Sequence, residues 1–79
     1  MSNDVEATIL EICRAALSAP DLRPDQNLTA AGADSLTAVE IVTQIELRLG
    51  QDVVETYFET PTVEALAAAV RSAAGVTAP

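Results

Sequence analysis

A small all-α bundle of four helices, three longer and one short, is the fold class this sequence predicts. Three observations predict it: apolar residues recur at helical spacing in three separate stretches, no stretch alternates like a strand for long, and glycine or proline punctuates the gaps. At 79 residues the chain makes one domain, near the size below which a core needs covalent or metal staples. None is available. The one cysteine, Cys13, cannot close an internal disulfide, and without histidine the chain lacks the mixed ligands of a zinc site. A single domain over residues 1–79 is expected, with an ordered core over about 4–74 and a small, unpatterned, mobile tail over 75–79.

The first helix is expected from about Asp4 to Ser18. Val5, Ile9, Ile12 and Ala16 make its apolar stripe with Cys13 and Leu17 beside it, Asn3 and Glu6 are spaced as a capping box, and Pro20 follows its end. Residues 21–33 hold Pro24, Asn27 and Gly32 without a regular period and read as a long loop, pinned to the core by Leu22 and Leu28. The second helix starts with Asp34 as cap and Ser35 at the first helical position, and Gly50 ends it. At about 100° per residue, Ala38, Ile41, Val42, Ile45 and Leu49 form its core face. Leu36, Val39, Glu40, Thr43 and Leu47 gather on the other side. A surface helix has no structural need for three aliphatic residues there.

A short apolar piece, about Val53 to Phe58, predicts a turn or two of helix. Thr60 then offers a cap, Pro61 suits the first helical position, and Val63, Leu66, Ala67 and Val70 supply the stripe of a last helix ending near Ala74.

Charge bounds the partners. Twelve acidic residues against four arginines give a net charge of −8, which repels nucleic acid and anionic membrane surfaces and favours basic protein partners. No apolar run approaches the roughly 20 residues of a membrane span. The single thiol and the absence of a signal-peptide pattern point to the cytoplasm.

The segment "AAGADSLTAVEI", residues 30–41, sets a lone hydroxyl at the head of a helix behind a loop of small residues. Ser35 is a poor nucleophile by itself, because the chain has no histidine and no lysine to take its proton, and Thr37 stands where a hydrolase elbow needs its second glycine. Calcium is excluded in the preceding acidic loop. Ala30 replaces the turn glycine of a calcium-binding loop, and Leu36 replaces its closing glutamate. Ser35 suits the part of an acceptor: a phosphate esterified there meets the positive end of the helix, and Ala31, Gly32 and Ala33 leave room for a modifying enzyme.

"GADSL", Gly32 to Leu36, at the head of a helix continuing "TAVEIVTQIELRLG", strongly resembles the carrier proteins of fatty-acid, polyketide and nonribosomal peptide synthesis. "FETPTVEALA", Phe58 to Ala67, is similar to the C-terminal signature of peptidyl and polyketide-type carriers. The resemblance covers nearly the whole chain. It implies a non-enzymatic carrier whose Ser35 receives 4'-phosphopantetheine from coenzyme A and whose arm holds acyl or aminoacyl groups as thioesters. Asp34 would cap the helix and engage the phosphopantetheinyl transferase. Leu36, Val39, Glu40, Thr43 and Leu47 would dock that enzyme, the loading enzymes and the downstream biosynthetic enzymes. For Val39 and Leu47, packing against the loop or the third helix is an equally good reading. Thr37 in place of the usual acid after "DSL", Leu47 and Arg48 interrupting an otherwise acidic helix, and the form of the last helix favour a carrier of a polyketide or peptide pathway, including antibiotic synthesis, over the housekeeping fatty-acid protein. A start at Met1 with its own helix cap and a stop soon after the last helix are expected of a free-standing carrier, though an excised domain would read the same, and a monomer is expected. An unmodified acidic adaptor that binds partners through its second helix is the competing reading from another class.

Overall fold

Helical periodicity becomes four helices in the computed structural model, which describes residues 3–76, with side chains over 5–73. Helix α1 spans Asn3–Leu17, α2 Ser35–Leu49, α3 Val54–Glu59 and α4 Val63–Val76. No strand occurs among the described residues. Helix α1 packs against α4 and α2, and the short α3 closes the bundle against α4 and α2.

The apolar stripes meet in one core. Ile9, Ile12 and Cys13 of α1, Ala38, Ile41 and Ile45 of α2, and Val63, Leu66, Ala67 and Val70 of α4 are all buried. Val42 and Leu49 pack against them partly buried, which completes the expected core face of α2. Burial pushes the Cys13 thiol up to about 12, because the thiolate would lose its hydration there.

The first helix stops one residue earlier than its periodicity suggests. Ser18 takes a left-handed backbone with φ 52°, the Ala19 N–H donates to the Arg14 carbonyl at 3.0 Å, and the Ser18 N–H reaches the Ala15 carbonyl at 3.4 Å. This pair of bonds is a Schellman termination built on serine where glycine is usual. The expected capping box of Asn3 and Glu6 involves a side chain outside the described ones, and the helix already includes Asn3.

The long loop is anchored at both ends. Leu22 and Leu28 are buried as expected, and the Arg14 guanidinium donates from Nε at 3.0 Å and Nη2 at 2.7 Å to the Leu22 carbonyl. Further on, the Leu28 N–H donates to the Pro61 carbonyl at 2.7 Å, and the Glu64 N–H donates to the Pro24 carbonyl at 3.0 Å. These two bonds hold the loop against the α3–α4 junction, so the residues before Ser35 have a fixed neighbour.

The start of α4 corrects the expected cap. Thr60 ends α3, its N–H donating to the Thr56 carbonyl at 2.8 Å, and Thr62 caps α4, its Oγ1 accepting from the Ala65 N–H at 3.1 Å. Pro61 therefore lies between the helices and not in the first turn. With Thr60 still engaged by α3, the second threonine is the one free to cap. The last helix also runs to Val76, past Ala74, so Gly75 and Val76 belong to it and not to a tail. The rest of the expected mobile tail lies outside the described residues.

Candidate functional site

Helix α2 opens as its sequence requires. Asp34 holds an extended backbone with φ −98° and ψ −172°, and its Oδ1 accepts a hydrogen bond from the Thr37 N–H at 2.9 Å. That bond satisfies one of the amides left free in a first turn. It also holds the Asp34 carboxyl below its usual range, chiefly because the Thr37 backbone N–H stabilises the charged form. At the other end Gly50 has φ 74°, and its N–H donates to the Glu46 carbonyl at 2.8 Å.

Ser35 follows the cap and is exposed. Gly32, with φ 118°, makes the turn that lets Ala33 bury itself immediately before Asp34. A side chain at Gly32 would meet nothing within 4 Å, so the backbone angle and not space is what calls for glycine there.

The sequence places the outward face of α2 correctly. Leu36 is 82% exposed, Val39 59% and Leu47 74%, while Glu40 and Thr43 are also exposed. Val39 and Leu47 therefore show most of their surface to solvent. Phe58 on α3 is exposed as well, a residue to which the periodicity assigned no role at the site. Its signal is its place in the chain: once Tyr57 is buried, the next residue of a helix points about 100° away. The two rings meet edge to face at 6.0 Å and 84°.

Sequence reasoning also missed a shallow depression of about 330 Å³ beside Ser35. It is lined by Thr29 and Ala33 of the loop, Asp34, Ser35 and Ala38 at the start of α2, Tyr57 and Phe58 of α3, and Pro61. No local pattern announces it, because the Leu28–Pro61 hydrogen bond between distant segments brings two of its walls together.

Around the site the charge is acidic. Glu40, Glu46, Asp52, Glu55 and Glu59 are exposed on α2, α3 and the turn between them. Arg48 of α2 approaches Glu11 of α1 at 3.8 Å, a solvated pair of little energetic weight. No group of three or more metal-ligating side chains occurs among the described residues.

The sequence profile of a family described as a phosphopantetheine attachment site matches residues 7–70, most of the chain. The chain belongs to that family. It is a phosphopantetheine-binding carrier protein, not an enzyme, and its cofactor is 4'-phosphopantetheine. Among solved structures, the carrier fold is similar to a chain in the structure of the phosphopantetheine transferase Sfp in complex with coenzyme A and a peptidyl carrier protein. The TM-score is 0.81 at 25% identity, over 86% of this chain and 90% of that one. Comparison with curated protein sequences gave no match. No helix among the described residues is long and apolar enough to cross a membrane.

Proposed function

We propose that Ser35 is the attachment residue and that the protein carries acyl or aminoacyl intermediates for a polyketide or nonribosomal peptide pathway. The observation that carries the first claim is the placement of an exposed serine hydroxyl immediately after the Asp34 cap, inside the segment matched to the family. The residues fit the group. A phosphodiester on Ser35 would stand at the positive end of α2, and the depression on the same rim offers the arm a surface.

When bound, the group supplies a flexible thiol that holds cargo as a thioester. The chain's own residues do the rest by position. Asp34 fixes the first turn, so the Ser35 hydroxyl stands at a defined place for the transferase. The protein has no histidine or lysine to deprotonate that hydroxyl, so the base belongs to the modifying enzyme.

Leu36, Val39 and Leu47 of α2, together with Phe58 of α3, form the docking face for a transferase of the Sfp kind, for loading enzymes and for downstream enzymes. Such a face works by filling apolar pockets, and Glu40 and Thr43 add polar contacts to a basic partner surface. The acidic surroundings support this choice of partner and disfavour nucleic acid and anionic membrane. Likeness to a peptidyl carrier protein supports the peptide or polyketide assignment over fatty-acid synthesis. A cytoplasmic monomer is the state in which such a carrier would visit several enzymes.

The test is intact-mass spectrometry after incubation with coenzyme A and a broad-specificity phosphopantetheinyl transferase. The folded protein gains the mass of one phosphopantetheinyl group. A folded protein that gains none contradicts the reading. The pathway is tested by charging the modified protein: aminoacyl- or malonyl-loading enzymes of such pathways charge it faster than a fatty-acid malonyl transferase does.

A further inference from the structure

A single wound turn stands between the long loop and Ser35, and one side chain closes its start. Asn27 Oδ1 accepts from the Ala30 N–H at 2.9 Å, and the Asn27 carbonyl accepts from the Ala31 N–H at 3.0 Å, the two bonds of an N-cap. At the other end the Gly32 N–H donates to the Thr29 carbonyl at 3.1 Å and the Ala33 N–H to the Leu28 carbonyl at 3.0 Å. With Gly32 at φ 118°, this pair is a Schellman termination. The next two residues are Asp34, the cap of α2, and Ser35. The turn is also tied sideways. Leu28 is fully buried, and its N–H donates to the Pro61 carbonyl at 2.7 Å, between α3 and α4. The turn therefore sets the start of α2 against the helix that carries the exposed Phe58. One turn gains too few hydrogen bonds to persist by itself, which makes its caps decisive. Asn27 is exposed, and among the described residues its side chain bonds only to Ala30.

We propose, on the reading that Ser35 is the attachment residue, that Asn27 is a positioning residue for the phosphopantetheinyl transfer. Its side-chain oxygen keeps the 27–33 turn wound, and through Ala33 and Asp34 the wound turn holds the Ser35 hydroxyl at a fixed place relative to the docking face. Two observations set this cap apart from an ordinary loop cap. Nothing intervenes between Ala33, the last residue of the turn, and the cap of α2, so fraying at Asn27 is passed directly to Asp34. Thr29 of the turn and Pro61, to which the turn is tied, share with Ser35 the lining of one depression. In the transfer, the Ser35 Oγ bonds the phosphorus that bears the pantetheine, the bond from that phosphorus to the adenosine bisphosphate leaving group breaks, and the hydroxyl proton passes to the enzyme's base. That displacement needs the hydroxyl aligned with the phosphorus. A frayed turn leaves docking through Val39 and Leu47 in place but shortens the time the hydroxyl spends aligned.

The experiment follows single-turnover transfer from coenzyme A by intact mass, with a broad-specificity phosphopantetheinyl transferase in excess, on wild type, Asn27→Ala, Asn27→Asp and Asn27→Ser. Aspartate and serine keep a capping oxygen, one charged and one neutral, and alanine has none. Because the carrier is the substrate, the kinetics separate positioning from stability. A partly unfolded variant offers less substrate, which raises the transferase concentration at half-saturation and leaves the saturated rate alone. Asn27→Ala keeps the circular dichroism of wild type and loses roughly three- to tenfold in saturated rate, the scale of one helix cap expressed as a rate ratio. Asn27→Asp and Asn27→Ser stay within about twofold of wild type. Amide exchange at Ala30, Ala31 and Ala33 is faster in Asn27→Ala, while exchange at Ile9 and Leu66 in the core is not. An undiminished saturated rate for Asn27→Ala, a change confined to half-saturation, an equal loss in all three variants, or unchanged exchange in the turn overturns the proposal. So does an unfolded Asn27→Ala, since the cap would then hold the whole domain. Wild type that gains no mass removes the attachment reading itself, an outcome distinct from a modified wild type whose Asn27 variants react just as fast.

Discussion

The Asp34 carboxylate and the Thr37 N–H, 2.9 Å apart, form the hydrogen bond that fixes where helix α2 begins and therefore where the Ser35 hydroxyl stands. Its strength depends on charge. The bond holds the Asp34 pKa below the ordinary value of 3.8, so its contribution to stability is present above that value and is lost as pH falls through the lowered one. Asp34→Asn keeps a capping oxygen but removes the charge. The variant should melt below wild type at neutral pH, and the gap should close on acidification below pH 3.8, as followed by circular dichroism. A gap that persists unchanged in acid would show that the charge contributes nothing to the cap.

The two faces of α2 predict opposite outcomes for the same substitution. Ile45 is fully buried, so Ile45→Asp puts an unpaired carboxylate and a void in the core and should cost about 3–5 kcal/mol, enough to unfold a small domain. Val39 lies about 120° away around the helix and is mostly exposed, so Val39→Asp should cost under about 1 kcal/mol. The fold survives, while modification by the transferase slows because a charge replaces an apolar contact. Thermal melts and a transferase time course on both variants check this pair. Unaltered modification of Val39→Asp would remove Val39 from the docking face.

Ser18 offers a stabilising change. Its φ of 52° is left-handed, a region glycine enters without the penalty borne by a side chain. Ser18→Gly should stabilise the domain by about 0.5–1 kcal/mol, reduced somewhat by the greater freedom of glycine in the unfolded chain. Denaturant midpoints measure it. A lower midpoint for the glycine variant would mean that the serine side chain makes a compensating interaction.

Cys13 should be inert in the folded protein. It is fully buried, and its thiol is pushed up to about 12 by that burial, so little thiolate exists near pH 8. Native labelling with an alkylating reagent should be far slower than for free cysteine and should become comparable in denaturant. After modification, the fast-reacting thiol should be that of the arm.

What the sequence discloses follows from the range of each interaction. The stripes through Ile9, Ile41, Ile45 and Leu66 are legible because helical spacing is a local pattern, and the same geometry places Leu36, Val39 and Leu47 outside. The Asp34 cap is legible for the same reason. The choice between Thr60 and Thr62 is not, since both residues cap well and only the Thr60 bond to α3 decides between them. Ser18 ends α1 where residue preference gives no sign of a left-handed turn. The depression beside Ser35 is least legible, because the Leu28–Pro61 and Glu64–Pro24 bonds join segments far apart in the chain.

The central claim is that Ser35, and no other hydroxyl, takes the phosphopantetheine. Thr29, Thr37 and Thr43 lie close enough in sequence to share a proteolytic peptide with it, so peptide mass alone does not decide between them. The most direct measurement is fragmentation mass spectrometry of the modified protein beside Ser35→Ala treated in the same way. Alanine is a good helix former and the position is exposed, so the variant should fold with a loss under about 0.5 kcal/mol. The account predicts one modified residue, Ser35, in wild type and no mass gain in folded Ser35→Ala. Modification of that variant, or a fragment series placing the group on any other residue, would contradict it.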